Sequence, residues 1–245
     1  MLSIDLIDQL GLAELPVSAI CHSLQSPAES NQLANRIIHD FPAVFEKGLG
    51  HCIRTKATLT LVDGAKPVFR TRRLVPYAAL PLVDAELKRR ESLGILAPIP
   101  HSAWAAPIVV VKKANGELRI CADYSTGLNT ALNPNHYMLP VPEDLFTVLK
   151  GGTCSAKLDL SEAYFQIEVD QECQPLLTST HRGLFKFTRL PFGVKTAPAI
   201  FQQIVDTMLP GLPGTAAYLD DISAVGTSTE DLHSRLKSVL QRIQG

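Results

Sequence analysis

The chain carries, at residues 216–225, the run Ala216-Ala217-Tyr218-Leu219-Asp220-Asp221-Ile222-Ser223-Ala224-Val225, in which two neighbouring carboxylates interrupt a short apolar stretch. Gly211, Pro213 and Gly214 precede this run, and Gly226 follows it. Short apolar segments bounded by such residues are typical of paired strands, so we predict a hairpin with the acids at its bend. Successive strand residues point to opposite faces, so both carboxylates serve one site only if the bend turns one of them round. We expect Asp220 to be the better-aimed ligand.

A third carboxylate stands inside another strand-like segment, Lys157-Leu158-Asp159-Leu160. An isolated Asp-Asp pair is ordinary turn chemistry, but an additional acid in an apolar setting is unusual. Like charges roughly 4 Å apart repel by about 4 kcal/mol at an effective dielectric near 20, so three gathered carboxylates need a counter-ion. Hard oxygen ligands suit Mg²⁺ or Mn²⁺, and two such ions commonly serve phosphoryl transfer, so we expect a divalent metal site.

Composition limits the class of protein. With 245 residues, 46% of them hydrophobic, the chain can bury a substantial core. No apolar run approaches the ~18 residues that span a bilayer, and the start of the chain is acidic, so we expect an intracellular protein, cytoplasmic or nuclear, with no membrane partner. Five scattered cysteines indicate neither a disulfide framework nor a zinc site. A net charge of −1 means that any nucleic-acid binding must use local patches.

Apolar residues at helical spacing predict several helices. The segments are 31–45, broken near Pro42, and 84–93, 142–149, 197–209 and 229–243. Pro142 and Pro198 fall in first turns, where proline is tolerated, and Gly94 follows a helix end. We expect the last helix to pack beneath the sheet that carries the acids.

A second hairpin is predicted around Asn115-Gly116, which is the strongest short signal for a two-residue type I′ turn. Counting outward from that turn places Lys112 directly opposite Arg119. Like charges in that position are destabilising, so the pair is explained if an anion such as a nucleotide triphosphate lies between them. Two solvated cations at a flexible tip are the alternative.

Three arginines, Arg70, Arg72 and Arg73, fall within an extended segment. Such a cluster is usually a solvated face. Contact with template-strand phosphates is the functional alternative.

Several of these segments together resemble a known family. Leu158-Asp159-Leu160, Tyr218-Leu219-Asp220-Asp221 and the run Arg189-Leu190-Pro191-Phe192-Gly193-Val194-Lys195-Thr196-Ala197-Pro198-Ala199-Ile200-Phe201-Gln202 are similar, in order and spacing, to the reverse transcriptase of gypsy-type long-terminal-repeat retrotransposons. The resemblance covers roughly residues 40–245. It implies an α+β fold of fingers and palm, with an antiparallel palm sheet backed by helices.

The resemblance also implies a domain layout. Residues 1–50 would form an N-terminal connector with a short helix, and residues 51–245 the reverse transcriptase domain. The fingers would occupy about 51–133 and 167–196, and the palm about 134–166 and 197–245. The thumb and ribonuclease H regions of the polyprotein are expected to lie outside this chain.

The activity implied by the resemblance is that of an RNA-directed DNA polymerase. It would add deoxynucleoside triphosphates to a primer 3′-hydroxyl on an RNA or DNA template. Asp159, Asp220 and Asp221 would be catalytic and, with the Leu160 carbonyl, would hold two Mg²⁺ or Mn²⁺ ions.

The resemblance assigns two further groups of residues. The nucleotide would contact Lys112, Arg119, Tyr164, Phe192 and Gly193, with the Tyr164 ring excluding a 2′-hydroxyl. The template and primer would contact Asp123 and Tyr124, and the charge of Arg70, Arg72 and Arg73 adds these three arginines to the same group. Two other functions stay open: a catalytically incompetent retroelement relic that only binds nucleic acid or nucleotide, and a metal-dependent phosphohydrolase that uses the same acids.

Overall fold

The structure is a computed structural model that describes residues 27–46, 48–112 and 118–244. The helices are α1 (Pro27–Asp40), α2 (Pro42–Phe45), α3 (Leu80–Ser92), α4 (Leu128–Ala131), α5 (Pro142–Leu149), α6 (Ala197–Met208) and α7 (Thr229–Gln244). The strands are β1 (Cys52–Ala57), β2 (Leu96–Ile99), β3 (Ala106–Lys112), β4 (Leu118–Ala122), β5 (Cys154–Asp159), β6 (Ile167–Val169), β7 (Thr178–Thr180), β8 (Leu184–Phe187), β9 (Thr215–Tyr218) and β10 (Asp221–Gly226). Within the described residues, no helix has both the length and the apolar character needed to cross a bilayer.

Strands β5, β10 and β9 form, in that order, a three-stranded antiparallel sheet that we call the acid-bearing sheet. Residues of β10 alternate in burial, so Ile222 and Ala224 are 0% and 1% exposed while Asp221 and Ser223 are partly exposed. Helix α7 packs against β10 and β5. Its predicted position beneath the sheet is confirmed, and the opposite face stays accessible to solvent.

Helix α1 lies against helix α7 and extends the packing behind the acid-bearing sheet. The two helices and the sheet share a small core that consists of Leu33, Ile37, Phe41, Cys154, Ala224, Leu232, Leu236 and Leu240. The predicted break near Pro42 is confirmed, because α1 ends at Asp40 and α2 begins at Pro42. Of the expected connector, residues 1–26 lie outside the described residues.

A second, larger sheet has five strands in the order β2-β8-β7-β3-β4. Its neighbouring strands are antiparallel except for the parallel pair of β7 and β3. Strands β1 and β6 form a separate parallel pair. The five-stranded sheet takes its strands from before and after β5 in the chain, as expected of interleaved fingers and palm. The limits of those subdomains, near residues 133, 166 and 196, stay a prediction.

The predicted register of the hairpin formed by β3 and β4 is wrong by one residue. Lys112 lies opposite Leu118, and Val111 lies opposite Arg119. Lys112 and Arg119 therefore do not face each other across the hairpin. The argument for an anion held between them does not apply to this register.

Burial of the apolar face explains the observed register. Ile108 and Val110 lie opposite Ala122 and Ile120, which places these four residues on one face. Ile108, Ile120 and Ala122 are each 3% exposed. A two-residue turn would instead have set Ile108 opposite Asp123. Such a one-residue slip moves the side chains of one strand to the other face of the sheet, so the apolar residues of the two strands would no longer share a face. The loop itself, residues 113–117, lies outside the described residues.

Candidate active site

The three carboxylates singled out in the sequence meet at one end of the acid-bearing sheet. Asp159 and Asp221 are directly opposite each other on β5 and β10. Tyr218 pairs with Asp221, so Leu219 and Asp220 form the two-residue turn between β9 and β10. The predicted hairpin with acids at its bend is confirmed, but it is Asp221 that shares a register position with Asp159.

Two backbone features characterise the turn. Leu219 has a φ of 53°, in the left-handed region that a residue other than glycine rarely adopts. The Leu160 N–H donates to the Asp220 carbonyl at 2.8 Å, which ties the turn to the residue after Asp159. The carboxylate-bearing ends of β5 and β10 are therefore joined by this hydrogen bond in addition to the hydrogen bonds of the strand pair.

Lys157 lies beside the carboxylates on the same strand as Asp159. Its Nζ atom is 2.8 Å from Asp221 Oδ2. The hydrogen bond to Asp221 raises the pKa of the Lys157 ammonium, and the charges of Asp159 and Asp220 act in the same direction. Part of the counter-charge that the sequence led us to expect from metal is thus supplied by the chain.

The donor set fits a divalent cation. Carboxylate oxygens are the ligands that Mg²⁺ and Mn²⁺ prefer. Asp159 and Asp220 are exposed and, among the described residues, take part in no ion pair. In the described part of the chain, no three His, Cys, Asp or Glu side chains are arranged to hold a metal ion, and Asp221 is paired with Lys157. Two carboxylates are therefore available, and the third is engaged.

Gln202 is a residue of the site that sequence reasoning missed. It is 0% exposed on α6, and its Oε1 accepts from the Leu219 N–H at 2.7 Å. Its Nε2 donates to the Ala217 carbonyl at 3.0 Å and to Asp206 Oδ1 at 2.9 Å. The one available signal was a polar residue on the apolar face of a predicted helix, which indicates a partner in the core.

The Gln202 contacts extend to the loop before α5. Tyr137 donates its hydroxyl proton to Asp206 Oδ2 at 2.5 Å, which raises the pKa of Tyr137 to about 12. Tyr137, Asp206 and Gln202 thus form a continuous hydrogen-bonded chain that ends at the Leu219 N–H.

Three of the predicted nucleotide-contact residues lie together. Tyr164 is 8% exposed, and its ring centroid is 4.7 Å from that of Phe192. The Arg119 guanidinium lies over the same Phe192 ring, 5.0 Å from the ring centroid. Burial, followed by the charge of Asp220, raises the pKa of Tyr164 to about 12. Tyr164 therefore packs in the core and is close enough to Asp220 to feel its charge.

Gly193 continues this cluster at the turn before α6. Its φ is 93°, and an added Cβ would lie 3.1 Å from the Ala122 carbonyl oxygen. Asn129 donates through Nδ2 to the Gly193 carbonyl at 2.9 Å and accepts from the Lys195 N–H at 2.9 Å. Glycine is favoured here for its backbone conformation. Lys112 lies at the end of β3, and its side chain is outside the described residues.

The arginine segment remains at the surface, as an extended chain beside the start of β3. Arg70, Arg72 and Arg73 are exposed, and Arg70 Nε donates to the Thr126 carbonyl at 3.2 Å. Arg73 pairs with Asp123 at 2.7 Å. A hydrogen bond from Ser125, together with the Arg73 charge, holds the pKa of the Asp123 carboxyl below its usual value.

Tyr124 differs from the other residues expected to contact nucleic acid. Its side chain is 1% exposed, and its hydroxyl donates to the Leu177 carbonyl at 3.4 Å. Burial raises the pKa of this phenol well above its ordinary value. Tyr124 is a core residue in this structure and offers no surface to a template.

Sequence comparisons place the chain among reverse transcriptases. The model of the family described as reverse transcriptase (RNA-dependent DNA polymerase) matches residues 111–245. An uncharacterised protein of Caenorhabditis elegans is 44% identical over 222 residues, which cover 89% of this chain and 17% of that protein. The transposon Tf2-3 polyprotein of Schizosaccharomyces pombe is 36% identical over 173 residues, which cover 69% of this chain and 13% of the polyprotein. The chain thus spans a small part of the length of these relatives.

Solved structures with the same fold include complexes with nucleic acid. The foamy viral protease-reverse transcriptase bound to double-stranded DNA has a TM-score of 0.80 at 21% identity, covering 91% of this chain and 39% of that one. The same viral enzyme bound to an RNA/DNA hybrid has a TM-score of 0.80 at 20% identity, and the match covers 91% of this chain and 30% of the viral chain. The predicted fold class is confirmed, whereas the gypsy type stays a prediction. Because the family model matches more than half of this chain, the chain belongs to the reverse transcriptase (RNA-dependent DNA polymerase) family.

Proposed function

We propose that this chain is the catalytic part of an RNA-directed DNA polymerase from a retrotransposon polyprotein. The reaction is the template-directed transfer of a deoxynucleoside monophosphate from its triphosphate to a primer 3′-hydroxyl. The observation that carries the proposal is the pairing of Asp159 with Asp221, with Asp220 in the adjoining turn, on the accessible face of the sheet. Membership of the reverse transcriptase family supports the same reaction.

The catalytic carboxylates are suited to a reaction in which negative charge accumulates. Asp159 and Asp220 would be the exposed ligands of two Mg²⁺ or Mn²⁺ ions, with Asp221 and the Leu160 carbonyl assisting. Ions held there would supply positive charge to the triphosphate and the leaving pyrophosphate and would lower the pKa of the attacking hydroxyl. The Leu160 N–H donates to the Asp220 carbonyl and ties the turn to the end of β5, and Gln202 accepts from the Leu219 N–H and ties the turn to α6.

The cluster of Arg119, Phe192 and Tyr164 is the proposed nucleotide site. The Arg119 side chain is exposed and supplies a positive charge for the triphosphate, while the Phe192 ring holds its guanidinium in position. Tyr164, near Asp220, forms a rigid wall beneath the sugar that disfavours a 2′-hydroxyl. The Gly193 turn completes this site, and Lys112 stays a predicted contact.

The exposed arginines at positions 70, 72 and 73 are the proposed contacts to template phosphates. They give a local positive patch to a chain whose net charge is −1. Solved relatives of this fold hold double-stranded DNA and an RNA/DNA hybrid, which supports a nucleic-acid partner. Asp123 pairs with Arg73, so its proposed role is to orient that arginine.

Single-nucleotide primer extension on matched RNA and DNA templates tests this function. Asp159→Asn and Asp220→Asn should each reduce incorporation by roughly 10³-fold or more, because catalytic groups that act as a unit fail together. Asp63→Asn, at an exposed turn, is the matched control and should retain parental activity. Because the chain is a small part of its relatives, incorporation is measured at primer–template concentrations high enough to saturate weak binding.

Two other results would replace this function. Nucleotide and nucleic-acid binding without any incorporation would identify a binding relic. Template-independent hydrolysis of simple phosphate esters that depends on Asp159 would identify a phosphohydrolase.

A further inference from the structure

We propose that Lys157 is a built-in counter-ion of the carboxylate site: its ammonium pairs with Asp221 and must leave that carboxylate before a divalent cation can bind there. This inference rests on the proposed function, because it concerns the same carboxylates. It adds a positioning residue that competes with metal.

The geometry makes Lys157 specific for this site. Lys157 and Asp159 are two residues apart on β5, so their side chains share one face. Lys157 lies directly opposite Ser223, and its Nζ reaches diagonally across to Asp221 Oδ2 at 2.8 Å. The side chain is half exposed, so its charged end can swing into solvent without leaving an unpaired buried group.

Electrostatics explains why a cation is needed in the absence of metal. Asp159 and Asp221 are directly opposite carboxylates, an arrangement that destabilises a strand pair. Within the described residues, Lys157 is the only cation in an ion pair with any of the three acids. It therefore reduces the repulsion in the cluster, and a divalent cation would provide the same relief with twice the charge.

An ordinary cross-strand ion pair is the alternative explanation. Such a pair would contribute to stability and have no specific effect on metal affinity. The two explanations differ when the Lys157 charge is removed while its length and apolar stem are kept.

Lys157→Met makes this change in the full chain. Without the ammonium, the metal-free protein should lose roughly 1 to 3 °C in Tm, since the pair is largely solvent-exposed. Titration calorimetry with Mn²⁺ alone should show affinity about two- to fivefold tighter than in the parent, because no internal cation has to be displaced. The rise in Tm on adding Mn²⁺ should accordingly be larger in the variant.

Two matched variants separate charge from other effects. Lys157→Arg keeps the charge and should bind Mn²⁺ with affinity close to that of the parent. Lys237→Met removes a similarly exposed lysine that pairs with Asp40 at 3.2 Å, away from the carboxylate site, and should leave Mn²⁺ affinity unchanged.

The outcomes are distinguishable from those of the primer-extension test. Equal or weaker Mn²⁺ affinity in Lys157→Met, with the parent binding normally, overturns the role of Lys157 and leaves the proposed polymerase function intact. Binding of Mn²⁺ by neither protein overturns both this inference and the proposed metal site. Tighter binding by Lys157→Met, with Lys157→Arg close to the parent, supports the inference.

Discussion

Replacing Gln202 by methionine should destabilise the chain by about 3 kcal/mol. Methionine has nearly the same length and helix propensity, so the change removes three hydrogen bonds and little volume. Each such bond contributes about 1 kcal/mol net, and the change leaves the buried Ala217 carbonyl and the partly buried Leu219 N–H without their Gln202 partner. Urea unfolding followed by circular dichroism measures the free energy of unfolding directly.

Gln203→Met is the matched control for this change. Gln203 is the next residue of the same helix and is exposed, so its replacement should alter the free energy of unfolding by less than about 0.5 kcal/mol. A Gln202→Met variant within about 1 kcal/mol of the parent would show that the buried hydrogen bonds do not hold the turn. A variant with lowered stability and an unaltered Mn²⁺ affinity would show that the turn keeps its conformation without them.

Three further changes test other features of the site. Leu219→Val should cost about 1–2 kcal/mol in urea unfolding, because a β-branched residue fits the left-handed conformation poorly, while Leu219→Asn should cost less. The pKa of Asp123 is held low by Ser125, so its contribution to stability is present above the ordinary aspartate pKa and is lost as pH falls through the folded-state value. In Asp123→Asn, the free energy of unfolding should therefore fall less steeply between mildly acidic and strongly acidic pH. The same dependence on pH in the variant and the parent would contradict this. The raised pKa of Tyr164 stabilises the fold below the ordinary tyrosine pKa, and this contribution is lost as pH rises towards about 12. Asp220→Asn should lower that pKa, measured by absorbance at the phenolate band against Tyr164→Phe, and an unmoved titration would refute the coupling.

Local sequence patterns predicted the secondary structure around the site well. Helix α5 begins at Pro142 and ends at Leu149, within the predicted limits, and α6 and α7 differ from prediction by one residue at their C-terminal ends. Helical periodicity and first-turn proline are properties of neighbouring residues, which is why they can be read without a fold. The hairpin at Leu219 and Asp220 was predictable for the same reason.

The β3–β4 hairpin shows where local rules fail. Asn115-Gly116 favours a two-residue turn, but the register follows the burial of Ile108 and Ile120 against the rest of the core. The free energy gained from a favoured turn is smaller than the cost of exposing an entire apolar face to water. Register was therefore decided by tertiary packing.

The sequence by itself determined the identity and order of the three proposed catalytic acids and most of the strands and helices around them. Only the tertiary structure decided that Lys157 pairs with Asp221, that Gln202 reaches the Leu219 N–H, and that Tyr124 is buried. These contacts join residues on different elements, and their energies depend on distance and on exclusion of water. Composition and periodicity carry no information on either quantity, because both arise only when the sheets and helices have packed.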